Sequence, residues 1–549
     1  MIILGINAAF HDSAACILKD GQLIAAAEEE RFTHIKHGKR PVPFSAYELP
    51  FHAIDYCLKI ADIHLNEVDE FAYSFDPSIC RIPVYDKNDK LFLSSIHKAP
   101  NQLASGYPHH LQQRFSGADA NKMRWHFVDH HIAHAASAFF CSPFERAAVM
   151  VMDGRGENVS TTYYHGKNTE LEKLAEVNIP HSLGLLYEMI TDHLGFLHSS
   201  DEYKVMALAS YGKPVYSDTF RQMITIYENG DYTVDTSDLF EKFGPKRKRN
   251  EPFLERHFDI AFSLQQVLQE KVLQLVEWLY NQTKEENLCL AGGVALNCVL
   301  NAEIRDKGPF KNVWIQPASG DSGTALGAAL WIDAIAGSKK RNFEMQHVYW
   351  GPEYADKEIE DFLQWTKVPY RRSQNIAAEA AALLAEDKII GWYQGRMEFG
   401  PRALGARSIL ASPIHPEMQQ RLNDIKDRED FRPVAPVVLQ EDANEWFENA
   451  GNSPFMLFVN RVREDKAAMI PAVRHVDGTA RIQTINEFQH PLYYNLIKEF
   501  KKKTGVPVLV NTSFNTRGEP IVCTPRDAIE CFWTSPFDAL VIGSFILEK

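Results

Sequence analysis

The sequence predicts an α/β protein with two domains. Apolar segments of strand length, such as Ile2 to Ile6, alternate with helical segments, such as Asp259 to Thr283. A chain of 549 residues is too long for one hydrophobic core. The polar segment 336–346 breaks the alternation, so we place the boundary there and expect domains at residues 1–340 and 347–549.

Composition excludes several classes of partner. The net charge of −14 argues against binding to a nucleic-acid backbone, and the basic run 246–249 is expected to be a solvated loop. Eight cysteines without a CxxC pair are typical of reduced thiols. The first residues lack a basic signal region, and no apolar run approaches the ~20 residues of a membrane span. We expect a cytoplasmic protein with neither nucleic-acid nor membrane partners.

The first elements are a strand from Ile2 to Ile6, a turn containing His11 and Asp12, and a hairpin formed by Ala14 to Leu18 and Gln22 to Ala27. This order resembles the phosphate-binding opening of the actin-like ATPase fold. The polar turn is therefore a candidate binding site.

The central stretch predicts a metal site. A strand, Trp125 to Asp129, leads into a helix on which His130 and His134 are four residues apart and share one face. Asp153 follows a strand from Ala147 to Met152, at the end where α/β sheets place ligand groups. The alternative is a helix capped by Asp129 with surface histidines. The glycine turn after Asp153 favours a metal and phosphate site.

Further glycine turns follow two other strands of the first domain. Gly154 and Gly156 directly follow Asp153, where the absence of Cβ would let a phosphate or metal approach the backbone. Gly292 and Gly293 follow Leu288 to Leu290 and suit a nucleotide at a helix N-terminus. Asp321 follows the strand Val313 to Gln316 and supplies a second carboxylate at a strand end.

The second domain combines cationic side chains with glycine and proline turns. Because arginine matches phosphate and carboxylate geometry, these residues predict an anion pocket, with pairing to Glu398, Glu429 and Asp430 as the alternative. The cationic residues are Arg402, Lys426, Arg428, Arg432 and Arg481, and a strand from Val508 to Val510 leads to Asn511 and Ser513.

Nine motifs, taken together, resemble the O-carbamoyltransferases of nodulation-factor and antibiotic biosynthesis, the NodU, CmcH and TobZ type. They run in order from residue 10 to near the C-terminus: FHDSAA, EEERFT, HHIAHAASAF, VMDGRGE, GGVALN, GDSGTALGAAL, RMEFGPRALGARSIL, KDREDFRPVAP and VNTSFNTRGEPIVCTP.

The resemblance implies an N-terminal actin-like (ASKHA, Kae-like) domain fused to a C-terminal YrdC-like α/β domain. The C-terminal domain would form carbamoyl adenylate from carbamoyl phosphate and ATP (with Mg²⁺). The N-terminal domain, holding a divalent metal that is typically Fe²⁺, would transfer the carbamoyl group to a hydroxyl of a small-molecule acceptor. A homodimer is a possible assembly.

The resemblance also assigns residues. The implied metal ligands are His130, His134, Asp153 and Asp321, a mixed nitrogen and oxygen set that suits a first-row metal. His11 is the implied general base, with a turn histidine packed against Phe10 as the alternative. Arg402 and Lys426 are implied in catalysis. The implied substrate and nucleotide contacts are Asp12, Gly154, Gly156, Lys204, Gly292, Gly293, Asn297, Arg432, Arg481, Asn511 and Ser513.

One position departs from the family pattern, since Ala207 stands where a glycine is expected and would narrow the pocket slightly. The acceptor is not readable, because variable loops within 86–117 and 216–250 would form its pocket. Two other functions stay open: threonylcarbamoyl-adenylate-dependent tRNA modification, and an actin-like small-molecule kinase or ATP-binding regulator. A metalloprotease is disfavoured because no glutamate lies between His130 and His134.

Overall fold

The α/β class is confirmed in the computed structural model, which describes residues 1–38, 49–81, 107–337, 341–516 and 518–549. The described chain divides into two units, Met1–Met345 and Gln346–Lys549. Each unit has its own sheets and core, and each is described separately below.

The first unit opens with a five-stranded sheet in the order β3-β2-β1-β4-β5. Strands β1, β2 and β3 are antiparallel neighbours, whereas β4 and β5 run parallel to β1. The strands are β1 Ile2–Asn7, β2 Ala14–Lys19, β3 Gln22–Glu28, β4 Glu70–Tyr73 and β5 Trp125–Phe127. The turn between β1 and β2 carries His11 and Asp12.

A second sheet repeats this plan. Its order is β12-β11-β6-β7-β8, with β6, β7 and β8 antiparallel and β11 and β12 parallel to β6. The strands are β6 Arg146–Met152, β7 Val159–Lys167, β8 Glu170–Asn178, β11 Asn287–Ala291 and β12 Asn312–Ile315, with a separate pair, β9 Ile224–Ile226 and β10 Tyr232–Val234. This duplication of one sheet confirms the actin-like architecture predicted for the first domain.

Helices follow the last strand of each sheet at equivalent places. The helices of the first unit are α1 Glu30–Thr33, α2 Phe51–Ala61, α3 His130–Phe139, α4 Leu183–His193, α5 Glu202–Ala209, α6 Ser217–Met223, α7 Leu239–Phe243, α8 Glu255–Thr283, α9 Cys298–Lys307 and α10 Ser322–Ile335, and residues 107–114 are also helical. Helix α3 follows β5, helix α10 follows β12, and the two helices pack against each other.

Small residues bring α3 and α10 unusually close. A Cβ added to Gly327 of α10 would lie 1.7 Å from the carbonyl oxygen of Ala133 in α3. The alanine-rich faces of both helices are fully buried at this contact. Because His130 and His134 begin α3 and Asp321 directly precedes α10, this packing sets the separation of the predicted metal ligands.

The second unit is built on one mixed eight-stranded sheet in the order β13-β22-β21-β14-β15-β20-β16-β19. The strands are β13 Arg371–Arg372, β14 Ile390–Tyr393, β15 Arg407–Ala411, β16 Ala435–Leu439, β17 Val459–Arg461, β18 Thr479–Arg481, β19 Gln483–Ile485, β20 Val508–Ser513, β21 Ala539–Ile542 and β22 Phe545–Glu548. The helices are α11 Asp356–Thr366, α12 Ile376–Ala385, α13 Glu417–Ile425, α14 Ala443–Trp446, α15 Glu464–Ala467, α16 Pro491–Thr504 and α17 Pro525–Thr534.

Two expectations from the sequence hold with a difference in detail. Helix α8 begins at Glu255, one turn before the predicted Asp259, because the side chain of His257 accepts a hydrogen bond from the backbone amide of Leu254. The basic run is the predicted loop, and Lys246, Lys248 and Arg249 are exposed in it, but Arg247 is not. Arg247 is buried 3.8 Å over the ring of Phe253 and donates to the carbonyl oxygen of Leu194, since a guanidinium can stack and donate at once.

All eight cysteines are free, and all except Cys80 are buried. Within the described ranges, none of the helices combines the length and the apolar character needed to cross a membrane.

We predict that Gly327→Ala destabilises the first unit. The added methyl group would overlap the α3 backbone, and overpacking of this kind typically costs about 1–3 kcal/mol. Urea denaturation would measure the loss of unfolding free energy. Truncation of Ile335, which is 58% exposed on the same helix, is the matched control and should change stability by less than about 0.5 kcal/mol. Equal effects of the two substitutions would contradict the close helix contact.

Candidate functional site

Four buried side chains of the first unit meet at the junction of its two sheets. His130 and His134 lie on the first turns of α3, Asp153 follows β6, and Asp321 precedes α10. His130 Nε2 lies 3.5 Å from Asp321 Oδ1 and 3.7 Å from Asp153 Oδ2. His134 Nε2 lies 3.6 Å and 4.0 Å from the same two oxygens. The structure thus brings all four predicted ligands together.

These separations fit a bound cation better than hydrogen bonds. Distances of 3.5–4.0 Å exceed the range of a hydrogen bond, whereas ligands about 2.1 Å from one metal lie roughly 3.0–4.2 Å apart. His130 Nε2, His134 Nε2 and Asp321 Oδ2 are buried, and no hydrogen-bond partner for them lies among the residues that the structure describes. Buried polar atoms are normally satisfied. The four residues therefore fit a divalent metal.

Neighbouring groups aim His130 at the cluster. Its Nδ1 lies 3.0 Å from the carbonyl oxygen of Ser74 and must donate to it, which leaves Nε2 facing the two aspartates. Burial opposes a charged imidazole, but Asp321 and Asp153 hold the pKa of His130 well above its ordinary value. Burial likewise opposes ionisation of Asp321, yet His11 and His130 hold its pKa well below the usual range. Both shifts favour the charged forms of these side chains within the cluster.

Glu157 is a supporting residue for which sequence reasoning assigned no role. Its carboxylate accepts hydrogen bonds from the backbone amides of His130, at 3.1 Å, and Asp76, at 2.7 Å. Burial, followed by the charge of Asp129, raises the pKa of Glu157 to about 8. The sequence feature that could have indicated this role is the position of Glu157 at the end of the DGRGE turn, directly after Gly156.

Glycine at position 156 has a steric reason within the protein, and its predicted contact with a phosphate or metal stays a prediction. A Cβ there would lie 2.8 Å from the ring of His131, and its amide already donates to the Val159 carbonyl at 2.7 Å. Glycine at this position makes room for the His131 ring. A Cβ on Gly154 would lie 3.0 Å from Glu188 Oε1. The role of Gly154 in binding stays a prediction.

The Gly292-Gly293 turn is hydrogen-bonded directly to the cluster of histidines and aspartates. Gly292 has a φ of +90°, and a Cβ there would lie 2.1 Å from the Met152 carbonyl oxygen. The amide of Gly293 donates to Asp153 Oδ1 at 2.8 Å. A ligand at this helix entry would therefore lie beside the cluster.

Two other predicted nucleotide contacts are partly engaged within the protein. Asn297 caps α9 by accepting from the Leu300 amide at 3.0 Å, and its Nδ2 donates to Gln265 Oε1 at 2.9 Å. Lys204 lies 3.2 Å from Asp201 on the first turn of α5. Ala207 is half-buried in the same helix. Contact of Asn297 or Lys204 with nucleotide stays a prediction.

His11 lies in a hydrogen-bonded group beside the cluster. His11 Nδ1 lies 2.9 Å from Asp12 Oδ2, and its ring centroid is 6.0 Å from that of His37. Phe10 meets the ring of His130 instead, with centroids 5.1 Å apart. Burial lowers the pKa of His11, but Asp321 and then Asp12 outweigh it and raise this pKa to about 10. The alternative of a histidine simply packed on Phe10 is not favoured.

In the second unit, the predicted anion residues gather at one sheet edge. Strands β15, β16 and β19 begin at this edge, and the antiparallel strand β20 ends there, as the Ser408–Ser513, Ala435–Asn511 and Val437–Gln483 pairings establish. The residues at or just outside this edge are Arg402, Lys426, Arg432, Arg481, Asn511 and Ser513. Topology, rather than proximity in sequence, joins them.

The ammonium group of Lys426 is held by hydrogen bonds within the protein, unlike that of a lysine whose side chain is free to bind phosphate. Its buried ammonium donates to the carbonyl oxygens of Ser513, at 2.6 Å, and Asn515, at 3.0 Å, and to Asn515 Oδ1 at 2.6 Å. Burial, then Arg428 and Arg432, holds its pKa well below the ordinary lysine value. The contacts fix the end of β20. A direct catalytic role for Lys426 stays a prediction.

The alternative of arginine–carboxylate pairing holds only in part. Arg432 lies 3.6 Å from Glu429. Glu398 is buried and does not form such a pair, because its Oε1 accepts from the backbone amides of Leu404 and Ala406, each at 2.7 Å. Asn511 Nδ2 donates to the Ala403 carbonyl at 3.1 Å. Glu398 and Asn511 thus shape the backbone of the turn that carries Arg402.

The predicted acceptor loops are described only in part. Residues 86–106 of the first loop lie outside the described residues. The second loop contains α6, β9, β10 and α7. It is therefore more ordered than a variable loop suggests.

Several known proteins are similar to this chain. Protein sll1178 of Synechocystis sp. is 40% identical over 100% of this chain and 96% of its own length. Nodulation protein NolNO of Sinorhizobium fredii is 40% identical over 99% of this chain and 80% of its own length. Full-length HypF in its phosphate- and nucleotide-bound form gives a TM-score of 0.37 at 15% identity, covering 62% of this chain and 56% of that chain.

Two family models account for most of the sequence. The model described as carbamoyltransferase N-terminus matches residues 2–330, and the one described as carbamoyltransferase C-terminus matches residues 381–549. Both lie within the units defined by the structure. The chain belongs to the carbamoyltransferase family, and it is a carbamoyltransferase enzyme.

Proposed function

We propose that this enzyme is an ATP-dependent O-carbamoyltransferase. Its C-terminal unit would convert carbamoyl phosphate, ATP and water into carbamoyl adenylate, phosphate and pyrophosphate. Its N-terminal unit would then transfer the carbamoyl group to a hydroxyl of a small molecule. The acceptor would be a natural product, a sugar or a nodulation-factor-like compound, in keeping with the similarity to a nodulation protein.

The observation that carries the proposal is the buried tetrad beside the Gly292-Gly293 turn. His130, His134, Asp153 and Asp321 would hold a divalent metal, and two imidazoles with two carboxylates suit a first-row ion such as Fe²⁺. When bound, such a metal supplies positive charge to phosphate oxygens and to developing negative charge. The amide of Gly293 donates to Asp153, so a nucleotide bound at this turn would lie beside the same centre.

His11 is proposed as the general base of transfer. Its ring stands beside the tetrad, close enough for Asp321 to dominate the upward shift of its pKa. His11 would take the proton of the acceptor hydroxyl as the oxygen attacks the carbamoyl carbon, and AMP would leave. A bound cation would offset the negative field of Asp321 and Asp153, which favours the neutral imidazole that a base requires.

Activation is proposed at the arginine-lined sheet edge of the second unit. Arg402, Arg432 and Arg481 would bind carbamoyl phosphate and the ATP phosphates, with Mg²⁺ carried by the nucleotide. Lys426 would contribute by fixing Ser513 at the end of β20. The turn shaped by Glu398 and Asn511 would orient Arg402.

We predict that the tetrad binds one metal per chain. Asp321→Ala and His134→Ala should lower the metal content measured by inductively coupled plasma mass spectrometry from one equivalent to below about 0.1, because each removes a ligand. His131→Asn is the matched control. It lies on the same helix, and an asparagine can keep the contact with Thr162, 3.0 Å away in the native protein. Full metal retention in both ligand variants would refute the assignment.

We predict that Arg402→Ala loses pyrophosphate release from ATP and carbamoyl phosphate by about 10²–10³-fold, measured without an acceptor. The lost guanidinium would no longer stabilise charge on the reacting phosphates. Exposed Arg526, changed to alanine, is the control for general loss of charge. Pyrophosphate release that needs threonine, or γ-phosphate transfer in its place, would favour the tRNA-modifying or kinase alternative.

We predict that His11→Asn spares pyrophosphate release and slows carbamoyl transfer by about 10²–10⁴-fold, because only transfer needs the base. Transfer is measured as carbamoylated product from [¹⁴C]carbamoyl phosphate with a panel of hydroxylated compounds. If His11→Asn and Arg402→Ala each lose both half-reactions equally, the division of labour between the units is wrong.

A further inference from the structure

A second group of chemically active side chains lies next to the tetrad. The carboxylate of Asp12 joins two imidazoles: Oδ2 lies 2.9 Å from His11 Nδ1, and Oδ1 lies 2.8 Å from His37 Nδ1. The other nitrogen of His37, Nε2, lies 2.9 Å from Ser200 Oγ. The four side chains form a continuous hydrogen-bonded chain. His37 and Ser200 took no part in the site described above.

The geometry of this group is that of hydrogen bonds rather than of a metal site, although its three ionisable residues could in principle hold an ion. Its contacts of 2.8–2.9 Å are ordinary hydrogen-bond lengths, unlike the 3.5–4.0 Å separations within the tetrad. Donors and acceptors also match. Each Nδ1–H donates to Asp12, and the Ser200 hydroxyl donates to His37 Nε2.

Other side chains fix the backbone of His11, Asp12 and His37. Asn7 Nδ2 donates to the carbonyl oxygens of His11, at 3.0 Å, and Asp12, at 3.1 Å. The amide of His37 donates to Glu30 Oε2 at 2.7 Å, and Glu30 is itself paired with buried Arg31 at 2.9 Å.

Backbone strain at the two partners of His11 points to a built site. Asp12 has a φ of +51° and His37 a φ of +65°, in the left-handed region that residues with a Cβ rarely adopt. Strained residues persist only where their surroundings hold them, and they concentrate at functional sites. Here the strained backbone places the Asp12 carboxylate between the imidazoles of His11 and His37.

We propose that His37 and Asp12 are positioning residues for carbamoyl transfer, holding the His11 ring so that Nδ1 donates to Asp12 and Nε2 faces the acceptor hydroxyl. This inference rests on the proposed function, in which His11 is the base. His11 Nε2 takes the hydroxyl proton as the acceptor oxygen bonds to the carbamoyl carbon. The bond from that carbon to the adenylate phosphate oxygen breaks, and AMP carries away the electron pair.

Three substitutions of His37 separate positioning from mere folding. His37→Asn can place an amide N–H near the native Nδ1 and keep the bond to Asp12. His37→Gln places its amide near Nε2 and keeps only Ser200, while His37→Leu keeps neither. His110→Leu is the control, since His110 is an exposed histidine of the same unit.

Methanol is used as the acceptor because the smallest alcohol enters any acceptor pocket, and methyl carbamate is its product. Pyrophosphate release should be unchanged in every variant. Methyl carbamate formation should fall about 10- to 100-fold in His37→Leu and His37→Gln, the usual cost of losing a partner that orients a functional histidine, and recover to within about threefold in His37→Asn.

The outcomes distinguish the proposed positioning role from its alternatives. Equal transfer rates in wild type and His37→Leu, no recovery in His37→Asn, or a wild type that releases pyrophosphate without forming methyl carbamate would each overturn the proposal. Two metal equivalents in wild type that fall to one in His37→Leu would also overturn it, because His11, Asp12 and His37 would then form a metal site. A wild type without carbamoyl phosphate-dependent pyrophosphate release would contradict the proposed function. In that case, a single metal equivalent that is unchanged in His37→Leu would still support hydrogen bonding among His11, Asp12 and His37.

Discussion

The close packing of helices α3 and α10 is the constraint on which the N-terminal site depends. The backbone of α10 at Gly327 approaches the Ala133 carbonyl so closely that no side chain fits between them. Helix α3 carries His130 and His134 near its start, and helix α10 begins directly after Asp321. A wider separation would move the four side chains beyond the reach of one ion, so the small-residue contact sets the geometry of the proposed metal site.

A second layer of contacts converts four side chains into an organised centre. The Ser74 carbonyl fixes the tautomer of His130, and Glu157 holds the amide at the start of α3. Asp153 serves the cluster with one oxygen and the amide of Gly293 with the other. Such outer contacts orient ligands and tune their electrostatics. The site is therefore a property of two duplicated sheets rather than of a single motif.

The C-terminal unit concentrates cations by a different device. Strand ends, rather than helix starts, bring the arginines to one edge, and buried polar residues shape the backbone between them. Glu398 collects two amides of the 401–407 turn, while Lys426 ties down the end of β20. Residues that looked like ligands or ion-pair partners in the sequence are partly scaffold here, because a dense group of positive charges needs a fixed backbone to remain organised.

The sequence by itself determined the α/β class, the strands that end in Asp153 and Gly292, and the shared helical face of His130 and His134, because these follow from local periodicity. It also carried the family motifs. Only the tertiary structure decided that Asp321 reaches the histidines, that His37 meets Asp12, that Gly156 makes room for His131, and that Glu398 binds amides instead of arginine. Those contacts join residues distant in sequence or depend on side-chain direction, and local pattern contains no information about either.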